Sequence, residues 1–373
     1  MQSELLTPFR WSPAASGFTM PAEWEKHEGT WLVWPHSTET WKNHVLSAQT
    51  AILQFIEALH KGENIHLLVS DDEKHQAVMA SLERHNIKGN IVFHHAQTDC
   101  EWIRDFGGIF LRNPNTGEII VTDWGFNNWG GKFLEADAYP HLEWQNDIPR
   151  LMAAAYQAER TPLDFILEGG SLEVNGKGLL LTTEDCLLNH NRNPKYTKAE
   201  ISQLLCDYLG IRKVLWLGDG LYNDETDGHI DNLARFVNEN TILTVVEQDP
   251  QDVNFAVLQD NLSRLKHMTD LNGQPLRIVE LVMPDPVYEG SERMAASYAN
   301  FYIGNAAIVM PGYGSSKDEI AQKTLQSCFP DRPVVMVPYN NLIVGGGSFH
   351  CLTQQVPEGV GMAGNSGLAQ VGW

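Results

Sequence analysis

Basic residues are scarce in this chain of 373 residues: 26 Lys and Arg stand against 47 Asp and Glu, a formal net charge of −21. A phosphate-binding surface needs a basic footprint, so nucleic acid is not an expected partner, and neither is an anionic membrane surface. Long apolar runs are also missing. None approaches the roughly 20 residues that span a bilayer. Met1 to Leu6 lack a basic region followed by an apolar stretch, so no secretory leader is expected. Cysteine is sparse and odd in number: Cys100, Cys186, Cys206, Cys328 and Cys351, with no Cys-x-x-Cys. That excludes a zinc site built on cysteine pairs and points to free thiols in a reducing, cytoplasmic setting. No Gly-Lys-Ser/Thr follows the glycine runs, so Gly345-Gly346-Gly347 is a weak signal for phosphate binding. Low-complexity segments and charge blocks that would mark a linker are absent, and 1–373 reads as a single domain.

What is present is a recurring strand–helix–strand pattern in an ordinary globular composition, 43% hydrophobic and 20% charged. Copies begin at Gly178, Thr241 and Ala306, about 65 residues apart. Each has a short apolar strand (179–181, 242–246, 307–310), an amphipathic helix (197–208, 255–268, 318–328) and a second strand (214–217, 278–282, 334–337). Two looser copies precede them. One runs from Trp31-Leu32-Val33-Trp34 through a helix over 45–59 to Phe110. The other runs from Ile119-Ile120-Val121 through a helix near 147–157 to Phe165-Ile166-Leu167. Five such units suggest a closed radial array, and the alternative is a generic α/β protein.

Glycine-containing segments with unusual polar residues follow the last strand of most units. They are Trp102-Ile103-Arg104-Asp105-Phe106-Gly107-Gly108, Glu168-Gly169-Gly170-Ser171, Glu225-Thr226-Asp227-Gly228-His229-Ile230-Asp231-Asn232 and Gly345 to Cys351. A radial array would bring Asp105, Glu168, His229, Asp231 and Cys351 into one pocket. A thiol, an imidazole and three carboxylates suit attack on a cationic carbon. Asp105 and Asp231 would face the N–H edges of a guanidinium. Cys351 would attack as the thiolate, favoured when the cation is bound. His229 would protonate the leaving amine and then activate water, with Glu168 orienting the ring.

Competing readings exist for each residue. Most cysteines are small buried hydrophobes. His229 and Asp231, spaced His-x-Asp on one face of a strand, could ligate a metal, but no second cluster completes a dinuclear site. Asp105 could pair with Arg104. His350 is a rival base, discounted because a strand would turn it to the opposite face.

These blocks resemble the agmatine deiminases, of the guanidino-group-modifying (pentein) superfamily. The similarity covers nearly the whole chain, from Met20-Pro21-Ala22-Glu23-Trp24 through Trp102-Ile103-Arg104-Asp105, Phe126 to Gly131, Leu187 to Pro194, Gly220 to Asn232 and Ala296 to Ile303, to Gly345–Gln355. It implies a five-bladed, pseudo-symmetric α/β propeller of ββαβ units and hydrolysis of agmatine to N-carbamoylputrescine and ammonia, without metal or organic cofactor. It implies Cys351 as nucleophile through an amidino-cysteine intermediate, His229 as acid/base with Glu168 beside it, and Asp105 and Asp231 on the guanidinium. Glu225 would take the distal ammonium. Trp102 and Trp129 would wall the alkyl chain, core packing being the alternative. Hydrolysis of free or peptidyl arginine, amidino transfer, a metal-dependent hydrolase releasing urea and a non-catalytic binding module are the rival functions. A homo-oligomer is compatible with the sequence. Three features depart from the family pattern: Gly107-Gly108 where Gly-Pro is expected, Asp227 where Asn is common, and Cys100-Glu101 ahead of Trp102.

Overall fold

Apolar strands too short to bury a face alone must find partners, and in this chain they do so in a repeated way. The computed structural model describes residues 12–132, 139–338 and 341–361, so Met1 to Leu6 lie outside the described residues. Five sheets share one plan: a strand pairs antiparallel with the next, which after a helix pairs parallel with a third. In chain order the plan is met by Ile109–Arg112, Glu118–Gly125 and Glu159–Ile166. Glu173–Val174, Leu179–Thr183 and Lys213–Leu217 follow. Next come Ala234–Asn238, Thr241–Val246 and Arg277–Val282, then Tyr302–Ile303, Ile308–Pro311 and Val334–Val337. The remaining sheet joins the two ends of the chain. Thr353–Pro357 pairs antiparallel with His27–Val33, which runs parallel to Asn64–Val69. Middle strands such as Leu179–Thr183 and Thr241–Val246 are buried along their whole length, which is why they read as unbroken apolar runs.

The helix Lys198–Leu209 shows how local signals set the boundaries. Thr197 and Glu200 form a reciprocal capping box, Ile201, Leu205, Tyr208 and Leu209 form the buried face, and Gly210 ends it at φ 68°. The first two units depart from expectation. The unit beginning at 31–34 does not run to Phe110: it takes its parallel strand at Asn64–Val69 and adds the helix Asp72–Arg84 and the strand Ile91–His95. Phe110 starts the next sheet. The following helix spans Leu142–Ala155, with Pro149 inside it rather than near its start, where a proline is best tolerated. In each of these five sheets the first strand is preceded by a short turn or loop segment, and these segments hold the candidate site residues.

Candidate active site

Asp105 sits in the single helical turn Ile103–Phe106, Glu168 caps the 3-10 turn Gly169–Ser171, and His229 and Asp231 flank Ile230 in the turn Ile230–Asn232. Cys351 lies two residues before the strand Thr353–Pro357. The His-x-Asp pair is therefore in a tight turn rather than on a strand, which lets both side chains face the same space. All five residues are buried, and Cys351 retains 4% exposure. A narrow cavity is lined by Trp102, Asp105, Trp129, Tyr139, Glu225, Thr226, Gly345, Gly346 and Cys351. Trp102 packs on Trp41 at 5.4 Å between ring centres.

The sulfur of Cys351 lies 3.4 Å from Asp231 Oδ2. Burial, with the Asp231 and Asp105 charges, pushes its thiol well above the usual range. Asp105 accepts from the Trp129 indole N–H at 2.8 Å and the Gly170 N–H at 3.0 Å. Its carboxyl is pushed up to about 6 by burial and by repulsion from Asp231 and Glu168, against the pull of His229 and Trp129. His229 Nδ1 stands 3.7 Å from Asp105 Oδ1. Burial opposes the imidazolium, but Asp105, Cys186 and Glu168 outweigh it and hold His229 well above the ordinary histidine range. Among the described residues neither ring nitrogen has a hydrogen-bond partner of good geometry, and Cys186 Sγ acts on the ring's charge from close by without supplying one. Glu168 Oε1 accepts from Arg192 Nε at 2.7 Å, while Oε2 has no partner among the described residues. Glu168 thus comes within 4.8 Å of His229 without a hydrogen bond to it.

Backbone conformation aims these groups. Asn128, Trp129, Gly130 and Gly131 have φ of 54°, 51°, 90° and 75°, a left-handed run that turns the Trp129 indole onto Asp105. Such a conformation is costly for a bulky side chain and is held here by Asn127, whose Oδ1 accepts the Gly130 N–H. Gly170 is required by space: a Cβ there would lie 2.5 Å from His229 Nδ1 and 2.8 Å from Asp105 Oδ1.

Sequence reasoning passed over several residues. His350 is not on a strand and is not turned away. Its Nδ1 lies 2.7 Å from Asp231 Oδ2 and its Nε2 2.8 Å from Glu23 Oε2, both within hydrogen-bond distance. Burial opposes the Asp231 carboxylate, but His350 outweighs it and holds the group below the usual range. Glu23 in turn accepts from Arg235 at 2.8 Å. Asn300, in a segment ahead of the strand Tyr302–Ile303, donates to Cys351 Sγ at 2.9 Å. The signal for it was its place: it precedes the first strand of the one unit for which no polar segment had been picked out. Arg192 lies in the block Leu187 to Pro194 and binds Asp227 Oδ2 at 2.8 Å as well as Glu168.

The three departures now have physical accounts. Asp227 sits at φ 63°, a conformation Asp and Asn tolerate, and its charge meets both Arg192 and, at 2.5 Å, Lys132. Gly108 donates its N–H to Met152 Sδ at 3.3 Å, and a Cβ there would be 2.4 Å from Val121 Cγ1, so a proline would lose that contact and require Val121 to shift. Glu101 accepts the backbone N–H groups of His36 and Ser37 at 2.7 and 2.8 Å and anchors the loop bearing Trp102. His36, with Glu101 and two backbone carbonyls against its ring, is raised to about 9 despite burial.

Two groups of side chains have metal-ligand spacing among the described residues: Glu168, Cys186 and His229, and the surface set Asp72, His75 and His95. The first stands beside the Arg192 guanidinium, a poor neighbour for a cation. His229 and Asp231 do not form such a group together.

The leading turns of repeated sheets bring Asp105 and Cys351 to one cavity, with Asp231, His229 and Glu168 buried beside them, a plan that fits a guanidino-group-modifying enzyme. The profile of the Porphyromonas-type peptidyl-arginine deiminase family matches residues 19–357, and the chain belongs to that family. Within it the similarity is to agmatine deiminases. That of Pseudomonas aeruginosa strain LESB58 is 39% identical over 367 residues, covering 93% of this chain and 97% of the relative. The solved agmatine deiminase of Enterococcus faecalis superposes with TM-score 0.85 at 33% identity, covering 93% of this chain and 98% of that one. A cysteine-to-serine form of C. jejuni agmatine deiminase with substrate bound gives TM-score 0.81 at 30% identity, over 92% and 97%.

Proposed function

We propose that the protein hydrolyses agmatine to N-carbamoylputrescine and ammonia, with Cys351 as nucleophile. The observation that carries this reading is the placement of Cys351 Sγ 3.4 Å from Asp231, in a cavity that also exposes Asp105 and Glu225. The guanidinium lies between Asp105 and Asp231, each accepting paired N–H bonds. Its charge offsets the two carboxylates that oppose ionisation of the thiol. The thiolate adds to the guanidinium carbon, and the C–N bond to one terminal nitrogen breaks. The protonated His229 donates its proton to that nitrogen, which leaves as ammonia. The product is an amidino-cysteine. Neutral His229 then removes a proton from water, the hydroxide adds to the same carbon, and the C–S bond breaks to return the thiolate and release the urea-type product. Glu168 stabilises the imidazolium. The carboxyl of Glu225, raised by burial and by Glu292 and Asp224, receives the distal ammonium. Trp102 and Trp129 flank the alkyl chain.

We further propose that the five sheets close radially into a five-bladed α/β propeller forming a single domain. In support, the five share one strand plan, and Thr353–Pro357 joins the last part of the chain to His27–Val33. A role in putrescine formation or agmatine breakdown follows from the same reading.

Metal-free protein is expected to release ammonia from agmatine, and protein quenched during turnover to carry an amidino adduct on the Cys351 peptide. No ammonia from the folded wild type, or full turnover by Cys351→Ala, would sink the reading. The family name raises arginine or its peptides as substrates. Glu225 repels an α-carboxylate, so agmatine is expected to exceed arginine in kcat/KM, and Glu225→Gln to narrow that preference.

A further inference from the structure

The segment ahead of each first strand supplies one part of the site: Asp105, Glu168, His229 with Asp231, and Cys351 account for four of the five sheets. The fifth segment, before Tyr302–Ile303, contributes Asn300, 2% exposed. Its amide is fully engaged. Oδ1 accepts the backbone N–H groups of Ser348 at 3.1 Å and Cys351 at 3.3 Å. Two N–H donors aimed at one end of the amide fix that end as oxygen. The NH₂ end therefore faces Cys351 Sγ at 2.9 Å and Asn232 Oδ1 at 2.9 Å, two hydrogens for two acceptors. Asp231 Oδ2 also lies against the sulfur, at 3.4 Å, and can only accept when ionised.

We propose that Asn300 is a catalytic residue, whose side-chain N–H donates to the Cys351 sulfur and stabilises it as the thiolate. The proposal rests on the reading of Cys351 as nucleophile. In the free enzyme the S–H points to Asp231 and a sulfur lone pair receives the Asn300 N–H. When the cation enters, the S–H bond breaks, its electron pair stays on sulfur and the proton leaves to solvent through the cavity. The same N–H then faces a full negative charge, and a hydrogen bond to an ion is roughly twice as strong as one to a neutral acceptor. Without this donor only the Ser348 backbone contact would oppose the Asp231 and Asp105 carboxylates around the thiolate. Burial and the Asp231 and Asp105 charges raise the thiol, while the Asn300 N–H and a contact from the Ser348 backbone pull it down.

The test is the rate at which iodoacetamide alkylates Cys351, read by mass spectrometry of the Cys351 peptide across neutral to alkaline pH. It compares wild type, Asn300→Asp and Asn300→Ala. Asn300→Asp keeps acceptors for the Ser348 and Cys351 N–H groups and removes the donor; Asn300→Ala removes both without adding charge. Both variants are expected to alkylate at least about tenfold more slowly at neutral pH, with the midpoint moved up by about one pH unit or more and the limiting alkaline rate preserved. Folded variants with the wild-type profile would overturn the proposal. Asn300→Asp also adds a charge beside the sulfur, so its slowing counts only together with that of the uncharged Asn300→Ala; a role confined to shaping the turn would lower the limiting alkaline rate of Asn300→Ala and leave its midpoint at the wild-type pH, which would overturn the proposal. Should both variants fail to fold, the wild type still decides: the Asn300 side-chain amide proton resonances must shift as Cys351 titrates, and their constancy overturns the proposal. Alkylation does not involve agmatine, so a wild type inert to agmatine would sink the functional reading without touching this result.

Discussion

Asp105 is under two opposed demands. It must be ionised to hold a cation, yet burial and two neighbouring carboxylates raise its carboxyl to about 6. Below that pH it takes up a proton and loses its attraction for the guanidinium. The expected outcome is an acidic limb in kcat/KM near pH 6, measured with agmatine. Asp105→Asn should remove that limb and lower kcat/KM by at least about a hundredfold. The sign for stability is the reverse of the usual carboxylate case. The folded form binds the proton more tightly than the unfolded chain, so this residue's contribution to stability falls as pH rises from about 4 towards about 6. Gly170 is set by space rather than charge. Gly170→Ala puts a methyl group into His229 and Asp105, and should cost at least about tenfold in kcat, with circular dichroism reporting whether the fold survives.

At the scale of elements, strands and helices form the buried core while the turns ahead of the first strands hold the candidate site residues. The two can be separated by experiment. Thr197 caps Lys198–Leu209 in contact with Glu200, away from the residues lining the cavity. Thr197→Ala is expected to lower unfolding stability by about 1 kcal/mol in denaturant titration and to leave kcat and KM unchanged. The helix Lys198–Leu209 was legible because its cap, apolar spacing and terminal glycine agree. The turns were not legible as turns. His229 to Asn232 alternates like a strand, and Gly345 to Cys351 has no periodicity at all. Their conformations come from contacts distant in sequence, such as Asn300 with Ser348 and His350 with Glu23. His350 was misjudged for that reason: strand alternation was assumed where no strand exists.

For the whole molecule, the excess of acid sets a field as well as a composition. A net charge of −21, with Asp105 and Glu225 lining the cavity, draws cations toward the site. A dicationic substrate should feel this strongly. From about 0.01 M to about 1 M salt, kcat/KM for agmatine is expected to fall several-fold, mainly through KM, because the screening length shrinks from about 30 Å to about 3 Å. A salt-independent KM would show that capture depends on contacts in the cavity alone. No helix among the described residues is long and apolar enough to cross a membrane.

Residue order alone determined the repeating strand and helix segments, the set of thiol, imidazole and carboxylates, and the family resemblance, because each is a local pattern of side-chain chemistry along the chain. Tertiary structure decided which groups touch. It put Asn300 on the sulfur, His350 behind Asp231 and Arg192 on Glu168, pairings separated by 51, 119 and 24 positions. Such contacts carry no periodicity. They arise when buried polar atoms must find partners after the apolar strands have packed, and only the packed chain offers those partners.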